Sequence, residues 1–199
     1  MKLKQYKHRK KQKMILLVSL VAITLFIVGG TIAFLTAKTD VANNTFIAGK
    51  VSTSVDEIFE KNIKSNVSIK NTGNVMAYIR AAVVVTWQDA EGNVAPVTPV
   101  AGTDYKINYN LAADGWVKSS DGFYYWVEPV KSVVEDEDNC NTGVLITNCS
   151  PVEDTAPDGY SLCVEILGSG IQSLPTSVVT DEWSSGVSGV DGTTLDIKQ

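Results

Sequence analysis

Three cysteines, Cys140, Cys149 and Cys163, are the side chains of this 199-residue chain best suited to covalent or metal chemistry. If the protein is exported, two of them can oxidise to a disulfide. The short loop between Cys140 and Cys149 favours that pair, and Cys149 with Cys163 stays open as the alternative. The third thiol would then either cross-link molecules or remain half-buried and inert. The spacings do not match a zinc site, so we predict none.

Histidine, the most frequent general base and zinc ligand, occurs once, as His8 near the N-terminus. The rest of the chain therefore has no Ser–His or Cys–His nucleophile pair and no His-Glu-x-x-His zinc motif. The 22 acidic residues include no pair whose spacing marks a glycosidase site. The acidic run at 135–138 lacks the spaced oxygen ligands and the glycine of an EF-hand loop. We therefore predict a protein that is not an enzyme and that needs no metal and no other cofactor.

The first 33 residues have the layout of a secretory signal peptide. Seven of the 17 Lys and Arg residues lie within residues 1–13, and residues 14–37 carry no charge. The small residues Thr31 and Ala33 predict cleavage between Ala33 and Phe34, with a poorer second position after Ala37. An uncleaved membrane anchor is the alternative, because about twenty apolar residues span a bilayer. We favour cleavage, because the two glycines at 29–30 weaken a helix where the peptidase requires extended chain.

Removal of residues 1–33 leaves a strongly acidic protein. Ten cationic and 22 acidic side chains remain among 166 residues, which gives a net charge of −12. Such a surface repels nucleic acid and anionic lipid, so we expect neither as a partner, and membrane contact only through the signal segment. This length suits one domain with a substantial core.

The most informative stretch for the fold runs from Asn66 to Trp87. Two alternating apolar segments flank Asn-Thr-Gly-Asn at 71–74, whose residues tolerate left-handed backbone angles, so we predict a hairpin here. From Val75 to Trp87 every second residue is apolar, and the opposite face is about half polar. This pattern predicts a strand that is covered in part on both faces. Arg80 lies in mid-strand, where we expect an ion pair with a neighbouring acid.

Further alternating segments predict an all-β domain over residues 34–199. Trp116–Val127 is interpreted as a second hairpin, because an Asp-Gly turn at 121–122 lies between aromatic residues. We expect its rings to pack across the strands, with a ligand platform as the alternative. Shorter strands are predicted at 45–55, 105–111, 144–147, 160–167 and 193–197, a helical turn within 177–185 and a loop at 186–192.

Residues 34–43 admit two interpretations. They form either the first strand of the protein's own sheet or a loose arm that pairs with another molecule. Composition alone favours the first, because most N-terminal strands belong to their own domain.

Several segments, taken in order, resemble one family of exported proteins. GGTIAFLT at 29–36 and NTFIAGKV at 44–51 are similar to its processing region. NTGN at 71–74 with AYIR at 77–80 resembles its signature, and DGFYY at 121–125 its aromatic hairpin. Residues 165–172 with Trp183 match its last core strand more loosely. The family is that of the TasA/camelysin-like (BsaA-type) biofilm matrix proteins of Gram-positive bacteria, whose export depends on the signal peptidase SipW.

The resemblance implies a single jelly-roll-like antiparallel β-sandwich, processing by the signal peptidase close to Ala33 and Phe34, and secretion into the extracellular matrix or onto the cell surface. It further implies fibres in which the N-terminal arm of one subunit completes the sheet of the next, or of a related matrix subunit. Here that arm is residues 34–43, with Phe34, Leu35 and Val41 as candidate donor side chains. The cysteines and the acidic run depart from the family pattern. The alternative function is a monomeric surface module that binds polysaccharide or host protein through its aromatic hairpin.

Overall fold

The computed structural model of the protein describes residues 49–60 and 63–199, all of them within the unit Ala48–Gln199. The predicted signal segment, the cleavage site at Ala33 and Phe34, and the arm residues Leu35 and Val41 lie outside the described residues. Within the described ranges, no helix has the length and apolar character needed to cross a membrane.

Ten strands and one short helix make up the described part of the chain. The strands are β1 (Thr53–Glu60), β2 (Ile63–Asn71), β3 (Ala77–Gln88), β4 (Tyr105–Tyr109), β5 (Trp116–Lys118), β6 (Tyr124–Val130), β7 (Ile146–Pro151), β8 (Ser161–Gln172), β9 (Val187–Asp191) and β10 (Thr194–Ile197). The helix α1 spans Thr176–Glu182.

Eight of these strands form two four-stranded antiparallel sheets that pack face to face. Sheet A has the strand order β1-β2-β7-β4, and sheet B has the order β5-β6-β3-β8. Buried side chains of both sheets meet in one core, for example Ile69 and Ile146 from sheet A with Ile79 and Trp116 from sheet B. This arrangement confirms the prediction of an all-β domain and is consistent with a β-sandwich.

The predicted hairpin around residues 71–74 is wrong, because β2 and β3 belong to different sheets. The turn is instead a corner that carries the chain from sheet A to sheet B. The buried Asn71 holds it: its side-chain NH2 donates to the carbonyls of Val75 (2.9 Å) and Val130 (3.0 Å), and its Oδ1 accepts from the Gly73 N–H (3.0 Å). A Cβ on Gly73 would lie 2.2 Å from the Lys50 carbonyl, so only glycine fits here.

The aromatic hairpin is confirmed, since β5 and β6 pair with Trp116 opposite Trp126. Its rings pack inside the protein: Trp116 and Tyr124 are buried, and Tyr124 stacks on Tyr109 with ring centroids 4.8 Å apart. This favours cross-strand packing over a ligand platform. Strand β9 occupies the stretch predicted as a loop, because it pairs with β10.

The outer face of sheet B is partly covered by the C-terminal elements α1, β9 and β10. A second buried cluster lies there, formed by Tyr78, Tyr125, Val179, Trp183, Val187 and Leu195. This confirms that β3 has cover on both faces.

The predicted ion pair of Arg80 is wrong, since none of the salt bridges among the described residues includes it. The Arg80 guanidinium lies instead over the rings of Phe123 (4.2 Å to the centroid) and Trp183 (4.8 Å) and donates from Nε to Ser169 Oγ (3.2 Å). Cation–π attraction therefore ties β3 to the loop that follows α1. The Tyr125 hydroxyl, 3.4 Å from Arg80, donates to a carboxylate oxygen of Asp121 at 2.8 Å.

Asn71→Ala should destabilise the protein strongly. The substitution removes the side-chain partner of the buried Val130 carbonyl, of the buried Gly73 N–H and of the part-buried Val75 carbonyl. A buried group left without a partner costs about 1–3 kcal/mol. We expect a loss of about 3 kcal/mol or more in the free energy of unfolding, measured by urea denaturation. The control is Asn108→Ala, whose exposed side chain bonds only to Asn148. Equal effects of the two substitutions would contradict the assigned role of the corner.

Asp121→Asn should lower stability at neutral pH and lose this effect in acid. Burial alone would raise the pKa of the Asp121 carboxyl, but hydrogen bonds from Tyr125, the Phe123 N–H and Ser185 outweigh it and hold the pKa below its ordinary value of 3.8. A carboxyl with a lower pKa in the folded state stabilises the fold above the unfolded pKa, and this stability is lost as the pH falls through the folded value.

The measurement for Asp121 is the difference in Tm between wild type and variant across a pH series. The gap should be full at neutral pH and should close as the pH falls below 3.8. A substitution of the exposed Asp158 by Asn serves as the control. A gap that stays constant into strong acid would refute the role given to this carboxylate.

Candidate functional site

Strand β8 forms one border of sheet B. It pairs along its whole length, Ser161–Gln172, with β3 on one side and with no strand of the described chain on the other. A sheet border of twelve residues presents a row of backbone N–H and C=O groups that can pair with another strand. We call this border the β8 edge.

Two carbonyls of the β8 edge accept hydrogen bonds from side chains of sheet A. The Lys64 ammonium donates to the carbonyl of Val164, and the Thr53 hydroxyl donates to that of Gly168 at 3.1 Å. The direction of the peptide groups alternates along a strand. The N–H and C=O groups of Ile166 and Gly170 therefore point the same way, away from β3.

Strand β1 borders sheet A on the same side of the protein, and it runs close to one end of the β8 edge. A Cβ on Gly170 would lie 2.8 Å from Val51, just before β1, and 3.2 Å from Thr53, the first residue of β1. A Cβ on Gly168 would lie 3.2 Å from Ile69 of the adjacent β2. The two glycines thus permit a close approach that a larger residue would prevent.

At the other end of β8 the two borders separate and leave a cleft of about 420 Å³. We call it the β1–β8 cleft; its lining includes Glu57, Phe59, Lys64, Leu162 and Cys163. Phe59 is 63% exposed, so the cleft offers apolar surface as well as a charged pair. The Lys64 ammonium and the Glu57 carboxylate are 2.9 Å apart within it.

Two irregularities in sheet A turn Lys64 toward this cleft. Asn66 has a φ of +52°, a left-handed conformation that asparagine tolerates better than most residues. The β1–β2 register shifts between Asp56 and Ile58. As a result Lys64 lies opposite the buried Cys149, on the core side of the sheet, and its side chain is only 12% exposed.

The structure does not bring the predicted disulfide partners together. All three cysteines are free thiols. The Asn71 N–H bonds to the Cys140 carbonyl, whereas Cys149 lies opposite Lys64, seven residues away on β2. At about 3.3 Å per residue this is roughly 20 Å, several times the Cα separation that a disulfide allows.

The thiols lie in surroundings that suppress their reactivity. Burial raises the pKa of Cys149 to about 11, although the nearby Lys64 acts in the opposite direction. Burial followed by the charge of Glu165 also raises the pKa of Cys163. Both thiols are therefore protonated at neutral pH and are poor nucleophiles.

The acidic run at 135–138 bonds to its own neighbours. Asp136 accepts from Lys131 at 2.9 Å and from the Asn139 side chain at 3.0 Å, and Glu135 accepts from the hydroxyl of Ser132 at 2.9 Å. Among residues 49–60 and 63–199, no group of three or more His, Cys, Asp or Glu side chains is arranged to hold a metal ion.

The inward direction of Lys64 was not predicted from the sequence. A regular alternation through Val67 and Ile69 would place Ser65 on the core side and Lys64 outside. The one signal for the change of face was Asn66, because asparagine is enriched at left-handed positions. Comparison of the chain with protein-family models, curated proteins and solved structures gave no match.

The thiol assignment predicts the outcome of labelling without a reductant. Purified protein treated with iodoacetamide in denaturant should gain three labels by intact mass, because Cys140 and Cys149 are too far apart to pair. In the native state the buried Cys140 and Cys149 should stay unlabelled, since neither is accessible. One label in denaturant, with a mass two daltons lower, would show a disulfide, and its assignment to Cys140 and Cys149 by peptide mapping would contradict the placement of these residues.

Proposed function

We propose that the protein is a secreted, non-enzymatic structural subunit of a biofilm matrix or cell surface, of the TasA/camelysin-like kind. The observation that carries the proposal is the β8 edge, a twelve-residue strand border that pairs with no further strand of the described chain and on which side chains bond to two carbonyls, those of Val164 and Gly168. In this proposal the arm of residues 34–43 is freed by a signal peptidase and pairs with the β8 edge of a neighbouring copy. The jelly-roll topology that the resemblance implies is part of the same proposal.

The physical basis is strand addition. An incoming strand satisfies the outward N–H and C=O groups of β8, and each main-chain hydrogen bond contributes about 1 kcal/mol net. Ordering the arm costs about 1–2 kcal/mol per residue. Hydrogen bonds alone therefore do not favour assembly, and burial of Phe34, Leu35 and Val41 at roughly 1.5–3 kcal/mol each has to make up the difference. Assembly should accordingly depend on concentration and solution conditions.

The β1–β8 cleft supplies apolar surface for such side chains. Phe59 and Leu162 both line it, and Phe59 is exposed in the described chain. A donor strand along β8 would cover this surface as it pairs. The monomeric binding module has less support, because the aromatic rings proposed as its platform are mostly buried in the two cores.

Deletion of residues 34–43 from the processed protein should abolish filaments. The measurement is electron microscopy with light scattering over a concentration series, and the intact processed chain is the reference. A second variant, in which Phe34, Leu35 and Val41 are each replaced by Ser, keeps the length of the arm but removes its apolar side chains. It should also fail to assemble. Unchanged filaments from the deletion variant would contradict the proposal, and a processed chain that stays monomeric throughout would favour the binding module.

A further inference from the structure

Burial of the Lys64 ammonium group is energetically unfavourable, and the stability of the fold does not require it. The Lys64 side chain is 12% exposed and lies on the core side of β2, where the strand's other inward residues, Val67 and Ile69, are fully buried and apolar. Removing an ammonium group from water is unfavourable, and a partly buried ion pair often adds no more stability than apolar side chains of the same size. Packing alone therefore does not explain a lysine at this position.

The hydrogen bonds of Lys64 indicate what that role is. One goes to Glu57, which lies on β1 of the same sheet and holds the ammonium in place at 2.9 Å. Another goes across to sheet B, to the Val164 carbonyl on the open side of β8. A strand that pairs with this half of β8 needs that same carbonyl as an acceptor, so it has to displace the lysine first.

We propose that Lys64, held by Glu57, guards the β8 edge against strand addition. An inward-pointing charge at a sheet border is a known means of preventing unwanted pairing between edges. The Thr53 hydroxyl occupies the Gly168 carbonyl in the same way. Between the two occupied carbonyls, those of Val164 and Gly168, the outward N–H and C=O groups of Ile166 remain open to another strand. The inference builds on the proposed function, because it assigns the control of assembly to a residue of the acceptor itself.

Lys64→Met tests the guard in the full processed chain. Methionine keeps most of the length and the apolar stem but removes the ammonium group that occupies the Val164 carbonyl. The concentration of half-maximal assembly, measured by light scattering, should fall about tenfold, the size expected for loss of one charge-assisted hydrogen bond. Lys106→Met is the matched control, because it makes the same change of charge at an exposed position of β4 and should leave assembly unchanged.

Glu57→Gln is the second variant, and it decides the matter if Lys64→Met does not fold. Without the carboxylate the ammonium is held less firmly, so assembly should again be favoured, by a smaller factor than in Lys64→Met. If a folded variant assembles no better than wild type and Lys106→Met, the proposal that Lys64 hinders strand addition is wrong. The same conclusion follows if neither variant associates at any concentration.

Removal of residues 34–43 in the Lys64→Met background separates the two proposals. If the gain in assembly disappears when residues 34–43 are removed, both the role of Lys64 and the role of these residues as the donor strand are supported. If the gain persists, the role of Lys64 is supported and residues 34–43 are not the donor strand. A wild-type chain that stays monomeric beside a Lys64→Met chain that associates also supports the guard while it refutes self-assembly as the normal function.

Discussion

The backbone groups of an open sheet have to find hydrogen-bond partners, and this requirement organises the protein around β8. A closed barrel has no edges, whereas a sandwich of two sheets leaves four. Here β8, which at twelve residues is as long as the neighbouring β3, lies at one of them. Two side chains from sheet A, Lys64 and Thr53, meet part of the requirement, and the remainder is met by solvent or by another strand.

The rest of the fold sets the relative positions of the two sheet borders, β1 and β8. Asn71 fixes the corner through which the chain passes from sheet A to sheet B. Gly168 and Gly170 let the borders approach at one end, and the register shift between β1 and β2 lies toward the other end, where the borders separate. Arg80, between the rings of Phe123 and Trp183, ties the C-terminal elements to the outer face of sheet B. These elements strengthen sheet B without adding a strand next to β8.

Local alternation in the sequence was enough to predict most strands, and for β3 it also predicted the core face. The apolar face of Val75–Trp87 was recognisable because a period of two depends on the strand alone. Strand pairing was harder to predict. Turn residues that permit a hairpin also permit a corner between sheets. The hydrogen-bond partners of Asn71 that fix the corner, Val130 and Cys140, are distant in sequence. Strand β9 was missed because Ser188 and Gly189 have low strand propensity, and pairing with β10 overcomes it.

Lys64 marks the limit of sequence reasoning for the candidate site. Its inward direction depends on the left-handed Asn66 and on a register shift in the neighbouring strand, neither of which alternation specifies. The structure separates the predicted disulfide partners Cys140 and Cys149 for a related reason, because their distance along the chain does not specify which residues of β2 each one lies beside.

Hydrogen exchange of β8, compared between the monomer and the assembled protein, shows whether another strand pairs with this edge. The amides of Glu165 and Leu167 point toward β3 and should be protected in both states. The amides of Ile166 and Gly170 point away from β3, and we expect their exchange to slow by about tenfold or more on assembly. Equal exchange of these outward amides in monomer and assembly would show that β8 is not the surface through which the copies join.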